Sequence, residues 1–284
     1  PAVTRPAFAL RSQGHRVAVI GADQQGQTDP LSLEVVLEKP TSLVSVMLAN
    51  NETGVVQDIA KLAEIAKSKG ALFHTDAVQA LGKIPVNFNT LGVHAMTVSS
   101  HKVHGPQGAG ALILDKRVDI APLIHGGGQE AERRSGTENV AWAVALASAL
   151  ALHPWPNEAA KQIADLRDTF AAEVLKAVPC AVATGSMTNR LANIASFCFE
   201  GLSGEAILLE LERRSVIVSS GSACAAGSDE PSHVLTAMGF ASEVAQTAVR
   251  FSLSHQTTEV EFESALKALV ESVAAVGGTS KIAE

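Results

Sequence analysis

The chain has 284 residues, 46% of them hydrophobic, enough for one large domain or two smaller ones with real cores. Acidic residues outnumber basic ones by 29 to 22, a net charge of −7, which argues against nucleic acid or an anionic membrane surface as the main partner. No apolar run reaches spanning length and no secretory signal is visible, so the sequence reads as soluble and cytoplasmic.

A basic, helix-like start leads to an expected strand over residues 16–20. Residues 41–48 form a near-continuous apolar run, hence a buried strand, which ends in the polar loop Ala49-Asn50-Asn51-Glu52-Thr53-Gly54. The next helix carries Ile59, Leu62, Ile65 and Ala66 at helical spacing and stops at Gly70. Residues 71–74 are the following strand, which runs into Thr75-Asp76-Ala77-Val78-Gln79. Strand, helix and strand at this spacing make a βαβ unit and imply a mostly parallel sheet, an α/β architecture. A further strand at 95–98 enters Ser99-Ser100-His101-Lys102 and then a loop rich in glycine, 105–110.

A strand at 111–114, the loop 125–130 and the segment 133–138 precede a long Ala-rich helix over 139–152. His153-Pro154-Trp155-Pro156-Asn157 breaks that helix and marks the expected boundary between domains 1–155 and 156–284. Beyond it the pattern becomes that of a smaller α+β domain. An amphipathic helix covers 158–178, a strand 193–199, and Ser203 caps a helix that runs to Arg214. Val216-Ile217-Val218 enters Ser219-Ser220-Gly221-Ser222-Ala223-Cys224, a strand follows at 248–253, and a last helix starts after Thr257-Thr258-Glu259.

Parallel sheets bind ligands at the carboxyl ends of their strands. Asn50/Asn51, Asp76/Gln79 and Ser99/His101/Lys102 are therefore expected along one edge. Lys102, at a strand end beside serine, histidine and a glycine-rich turn, is a candidate Schiff-base nucleophile; the alternative is a solvated charge. Asp76 is either a cap for the following turn or the partner of a buried cation such as a pyridinium nitrogen. Ser99 and His101 suit a phosphate. Cys198 in an apolar strand and Cys180 at a helix end read as packing residues. Cys224 follows five small residues, so it is either a nucleophile that travels on a flexible arm or a tolerated surface cysteine. Arg250, inside a strand, is either a structural ion pair or a clamp for a substrate carboxylate.

Two other motifs fail. Residues 105–110 lack the Gly-Lys-Ser/Thr ending of a P-loop. His125-Gly126-Gly127-Gly128 has no Gly-x-Ser-x-Gly elbow to serve. The three cysteines are too few and too unevenly spaced for a disulfide framework or a zinc knuckle, and no metal site is expected.

Taken together, the chain resembles the cysteine desulfurases of the NifS/IscS type, in the class V aminotransferase branch of fold-type I pyridoxal-phosphate (PLP) enzymes. The matching segments are Asn50-Asn51-Glu52-Thr53-Gly54, His74-Thr75-Asp76-Ala77-Val78-Gln79, Ser99-Ser100-His101-Lys102 with Gly105-Pro106, and His125-Gly126-Gly127-Gly128-Gln129-Glu130. They continue with Arg134-Ser135-Gly136-Thr137, Ser219-Ser220-Gly221-Ser222-Ala223-Cys224 and Arg250-Phe251-Ser252-Leu253. The resemblance implies that Lys102 carries PLP as a Schiff base and moves protons, that Asp76 faces the pyridine nitrogen and that Gln79 contacts the ring hydroxyl. It places Asn51 near ring and substrate, Ser99 and His101 on the phosphate, and Arg250 on the substrate carboxylate. It also implies a homodimer, with Thr137 reaching the partner subunit's phosphate. Cys224 would take the sulfur of L-cysteine as a persulfide, release alanine, and pass the sulfur to an acceptor or scaffold protein for iron–sulfur clusters or thiolated cofactors.

The chain opens Pro1-Ala2-Val3 where the family pattern has just passed its ring-stacking histidine, so an N-terminally incomplete large domain is expected. Two alternatives stand beside the desulfurase: a lyase acting on selenocysteine or cystine, and a catalytically silent fragment that serves as a scaffold.

Overall fold

The computed structural model describes residues 2–153, 158–221 and 230–280. In chain order its elements are α1 (Thr4–Ser12), α2 (Pro30–Val36), β1 (Leu43–Met47), α3 (Ile59–Ser68), β2 (Leu72–Asp76), α4 (Phe88–Leu91) and β3 (Ala95–Ser99). A 3-10 turn (Ser100–Val103), β4 (Gly110–Leu114) and α5 (Val140–Leu152) follow. The remainder comprises α6 (Glu158–Ala177), β5 (Ala181–Ala183), β6 (Ile194–Phe199), α7 (Gly204–Arg213), β7 (Ser219–Ser220), α8 (His233–Ala237), α9 (Ser242–Ala245), β8 (Val249–Ser252) and α10 (Glu259–Ser280). Among the described residues no helix is long and apolar enough to cross a membrane.

The residues fall into two compact units. One comprises Lys39–Leu48 and Asp58–Pro154. Its sheet has the order β1-β2-β3-β4, with β1, β2 and β3 parallel and β4 antiparallel to β3. The parallel part answers the βαβ reading, and a tight return of the chain reverses the last strand. Asp58 caps α3 by accepting from the Lys61 amide at 3.2 Å. Ile59, Leu62, Ala63 and Ala66 form its buried stripe, and α3 packs on β2. Gly70 ends the segment at φ +76°, a conformation glycine adopts at no steric cost. Asn139 caps α5 through the Trp142 amide. Within this unit α5 leaves an apolar surface, with Val140, Trp142, Val144 and Leu152 exposed and no residue of the helix buried.

The other unit comprises Pro1–Glu38, Ala49–Gln57 and Trp155–Glu284. This grouping differs from a single cut at 155/156, because two early segments join the later half. The physical reason is a set of long-range hydrogen bonds. The Gln57 side chain donates to the Gly26 carbonyl and accepts from the Thr28 amide, both at 2.7 Å. The Arg190 Nη2 donates to the Thr53 carbonyl at 2.7 Å, and the Val56 amide donates to the Asn189 carbonyl at 3.0 Å.

The second sheet runs β5-β6-β8-β7 and is antiparallel throughout. All six residues of β6 are buried, so it is a central strand covered on both faces. One face meets Phe170, Val174, Ile207, Leu211 and Leu269. Phe170 lies 4.9 Å from Phe251 and 5.5 Å from Phe262, ring centre to ring centre. Each such buried side chain contributes about 1.5–3 kcal/mol of transfer free energy. Cys198, on the other face, packs with Leu235, Met238, Ala245 and Ala248.

Two sequence expectations fail here. Residues 16–20 form no strand, and Val19 is 68% exposed. A strand needs a neighbour, and no β-ladder reaches this segment among the described residues. The strand expected to lead into the cysteine segment is reduced to Ser219–Ser220, and Ile217 is exposed.

Candidate functional site

In the parallel-sheet unit, Asp76 ends β2 and Ser99 ends β3, which are hydrogen-bonded neighbours in the register Asp76↔Thr97. The 3-10 turn that follows β3 presents Lys102, which is partly buried. Ser99 Oγ and His101 Nδ1 lie 2.9 Å apart. A Cβ on Gly105 would stand 2.1 Å from Ser100 Oγ and 3.2 Å from the Ser100 carbonyl oxygen, so a side chain here would force the buried Ser100 hydroxyl to move. Asp76 Oδ1 accepts from the Val78 amide at 2.9 Å, which is the turn-capping role that its position suggested. The ends of β2 and β3 thus carry Asp76 and Ser99, with His101 and Lys102 in the turn that follows β3, whereas Asn50 and Asn51, expected on the same edge, belong to the other unit. Thr137 is exposed in the loop that precedes α5.

His74 lies in a matching segment but received no role from the sequence. Its Nδ1 shares a 2.7 Å hydrogen bond with Ser45 of β1, and its Nε2 lies 3.3 Å from Thr97 Oγ1 of β3. Burial lowers its pKa from 6.5, partly opposed by the charge of Asp76. The unfolded chain then takes up a proton first as pH falls. Its contribution to stability is complete above about 6.5 and is lost as pH drops from there toward the lower folded value. Denaturant unfolding across that range is expected to show stability falling with acid, and His74→Gln is expected to flatten part of the slope. An unchanged slope in the variant would assign the acid loss elsewhere.

In the other unit, Asn50 Oδ1 accepts from the Glu52 and Thr53 amides at 2.8 and 3.0 Å, so this asparagine builds the loop. Arg250, on β8, donates from Nη1 to the Asn51 carbonyl at 2.6 Å. Glu52, also missed, is 2% exposed and accepts from the Ser232 hydroxyl at 2.5 Å. Burial raises its pKa, against the Ser232 hydrogen bond and the charge of Arg250. One arm of Arg250 therefore holds the Asn51 backbone, and its charge bears on a buried acid.

Cys198 is fully buried, and burial pushes its thiol up to about 12. Burial also raises Cys180. Both are poor thiolate donors near neutral pH, in keeping with packing roles. Cys224 lies outside the described residues.

The donor set at the sheet edge fits PLP: a primary amine for its aldehyde, a carboxylate for its ring nitrogen, and a hydroxyl with an imidazole for its phosphate. An α/β sheet with these groups at the carboxyl ends of its parallel strands defines the fold-type I PLP enzymes. Residues 1–264 match the family model described as aminotransferase class-V, and the chain belongs to that family. A protein named cysteine desulfurase 2 from Trichormus variabilis is 45% identical over 258 residues, 91% of this chain and 65% of the relative. The cysteine desulfurase IscS of Dictyoglomus turgidum is 42% identical over 269 residues, 94% of this chain and 68% of the relative. The chain thus spans about two thirds of the length of these relatives. Among solved structures, a NifS-like protein from Rickettsia africae aligns with a TM-score of 0.85 at 36% identity, over 93% of this chain and 72% of its own.

Proposed function

We propose that this chain acts as a PLP-dependent cysteine desulfurase, with L-cysteine as substrate and L-alanine as product. The observation that supports it most is the placement of Lys102 and Asp76 at the carboxyl ends of neighbouring parallel strands. PLP, when bound, supplies an electron sink for the carbon atoms of the substrate. Lys102 holds the cofactor and shuttles the proton between the substrate Cα and its neighbour. Asp76 would face the ring nitrogen. Gln79 meets the ring hydroxyl, while Ser99 and His101 hold the phosphate. The resemblance would assign Asn51 to ring and substrate, and Arg250 to the substrate carboxylate. The Cys224 thiolate attacks the substrate sulfur. A sulfur–sulfur bond forms as the carbon–sulfur bond breaks; its electron pair stays on carbon, which takes up a proton and leaves as alanine. The persulfide on Cys224 then passes its sulfur to an acceptor or scaffold protein for iron–sulfur clusters or thiolated cofactors.

The working form in this reading is a homodimer. The apolar surface of α5, with Trp142 and Val144 exposed, supports a second copy as its cover, and Thr137 serves the partner subunit's phosphate. The cytoplasmic setting and the division into domains 1–155 and 156–284 remain sequence readings carried into this proposal.

The test is turnover of L-cysteine by the chain with PLP, read as alanine, together with the intact mass of the protein. The expected result is one added sulfur on Cys224, with alanine formation cut on the order of a hundredfold or more in Cys224→Ala, the scale seen for loss of a positioned catalytic group. Undiminished alanine formation in that variant would favour the selenocysteine or cystine lyase. No turnover with retained acceptor binding would favour the silent scaffold.

A further inference from the structure

Lys83 has no part in the chemistry above, yet it is a partly buried cation beside the proposed cofactor lysine. Its Nζ donates to the main-chain carbonyl of Gln79 at 3.1 Å and reaches that of Lys102 at 3.5 Å. These two carbonyls belong to the turn after β2 and the 3-10 turn after β3. The same two turns touch a second time next door. A Cβ on Gly82 would stand 2.9 Å from Val103 Cγ1, and Val103 is fully buried in the 3-10 turn. Burial, followed by the charge of Lys102, lowers the Lys83 pKa to about 8. An ammonium is held in such a place only where its donors are used.

We propose that Lys83 is a positioning residue that clamps the Gln79 turn to the Lys102 turn and so fixes the direction in which the cofactor amine is presented. The clamp acts through the backbone. The side chains of Gln79 and Lys102 stay available for ligand while their carbonyls are tied down by a third residue. A lysine suits this task because its three donors serve carbonyls on two separate loops from one point. The inference rests on the reading that Lys102 carries the cofactor.

Amide hydrogen exchange of the chain without PLP tests the clamp directly. In Lys83→Met, which keeps the length and removes the donors, residues 99–104 and 79–83 are expected to exchange about tenfold faster, the effect of losing one charge-assisted hydrogen bond. Strands β1 and β2 are expected to keep their wild-type protection. Lys83→Arg is expected to restore most of it. With PLP added, Lys83→Met is expected to hold the cofactor about tenfold more weakly and to shift its visible absorbance, with Lys83→Arg again close to wild type. Unchanged exchange at 99–104 would overturn the proposal, as would uniform acceleration over the whole sheet, which a general packing role produces. If Lys83→Met fails to fold, Lys83→Gln is read by the same exchange measurement. Lys102→Ala separates the two claims: PLP still fixed covalently in that variant removes the cofactor reading and leaves the exchange result standing.

Discussion

Lys102→Ala is expected to leave the purified chain without covalently fixed PLP, so that borohydride traps no chromophore and the intact mass stays that of the bare protein. Turnover of L-cysteine is expected to fall by at least about 10^3-fold, because the substitution removes both the anchoring amine and the group that moves the substrate proton. The structure gives the reason that another lysine does not take over. Lys102 stands in a 3-10 turn at the carboxyl end of β3, with Asp76 ending the neighbouring strand. Lys83, the nearby alternative, has its nitrogen committed to the Gln79 and Lys102 carbonyls. Catalysis needs the amine within hydrogen-bond reach of the proton it moves, so a displaced amine recovers little rate. Lys102→Arg makes the sharper control: it keeps a cation at the turn but has no amine that can condense with an aldehyde. A chromophore that persists in Lys102→Ala, mapped to another residue, would overturn the assignment.

Arg250→Ala is expected to raise KM for L-cysteine about 30-fold or more, with a smaller effect on kcat. Breaking one side of a desolvated carboxylate–guanidinium pair costs about 2–5 kcal/mol, and about 2 kcal/mol already corresponds to that ratio. The variant also loses the 2.6 Å hydrogen bond to the Asn51 carbonyl and leaves buried Glu52 without the favourable field of a nearby cation. Some loss of stability is therefore expected alongside the KM effect, and thermal melting separates the two. Arg250→Lys keeps the charge but not the planar fork, so it is expected to fall between wild type and alanine. An unchanged KM together with a lowered melting temperature would return Arg250 to a purely structural role.

Several features were legible in the amino-acid order because their causes are local. Short, near-continuous apolar runs announced β1, β2 and β3, and the spacing of Ile59, Leu62 and Ala66 announced α3. The groups that fit a cofactor were legible for a related reason. Asp76 and Ser99 end strands, His101 and Lys102 stand in the turn after one, and in parallel sheets ligands bind at such strand ends. The apolar setting of Cys198 in its strand was enough to predict an inert, buried thiol.

What stayed hidden depends on residues far apart in the chain. The polarity of residues 16–20 allows a strand, but a strand exists only where another pairs with it. Glu52 reads as a loop carboxylate; it is buried, and the hydroxyl that bonds it belongs to Ser232, 180 positions away. Lys83 carries no motif in the sequence; the 3-10 turn after β3 brings the Lys102 carbonyl to it. The membership of residues 49–57 in the later unit rests on hydrogen bonds to Gly26, Asn189 and Arg190. The sequence by itself determined β1, β2, β3 and α3, because hydrophobic period is a property of neighbouring residues. Only the tertiary structure decided which charges are buried, which backbone groups hold them and how the segments divide into units, because desolvation and hydrogen-bond partners are set by distant parts of the chain once it has folded.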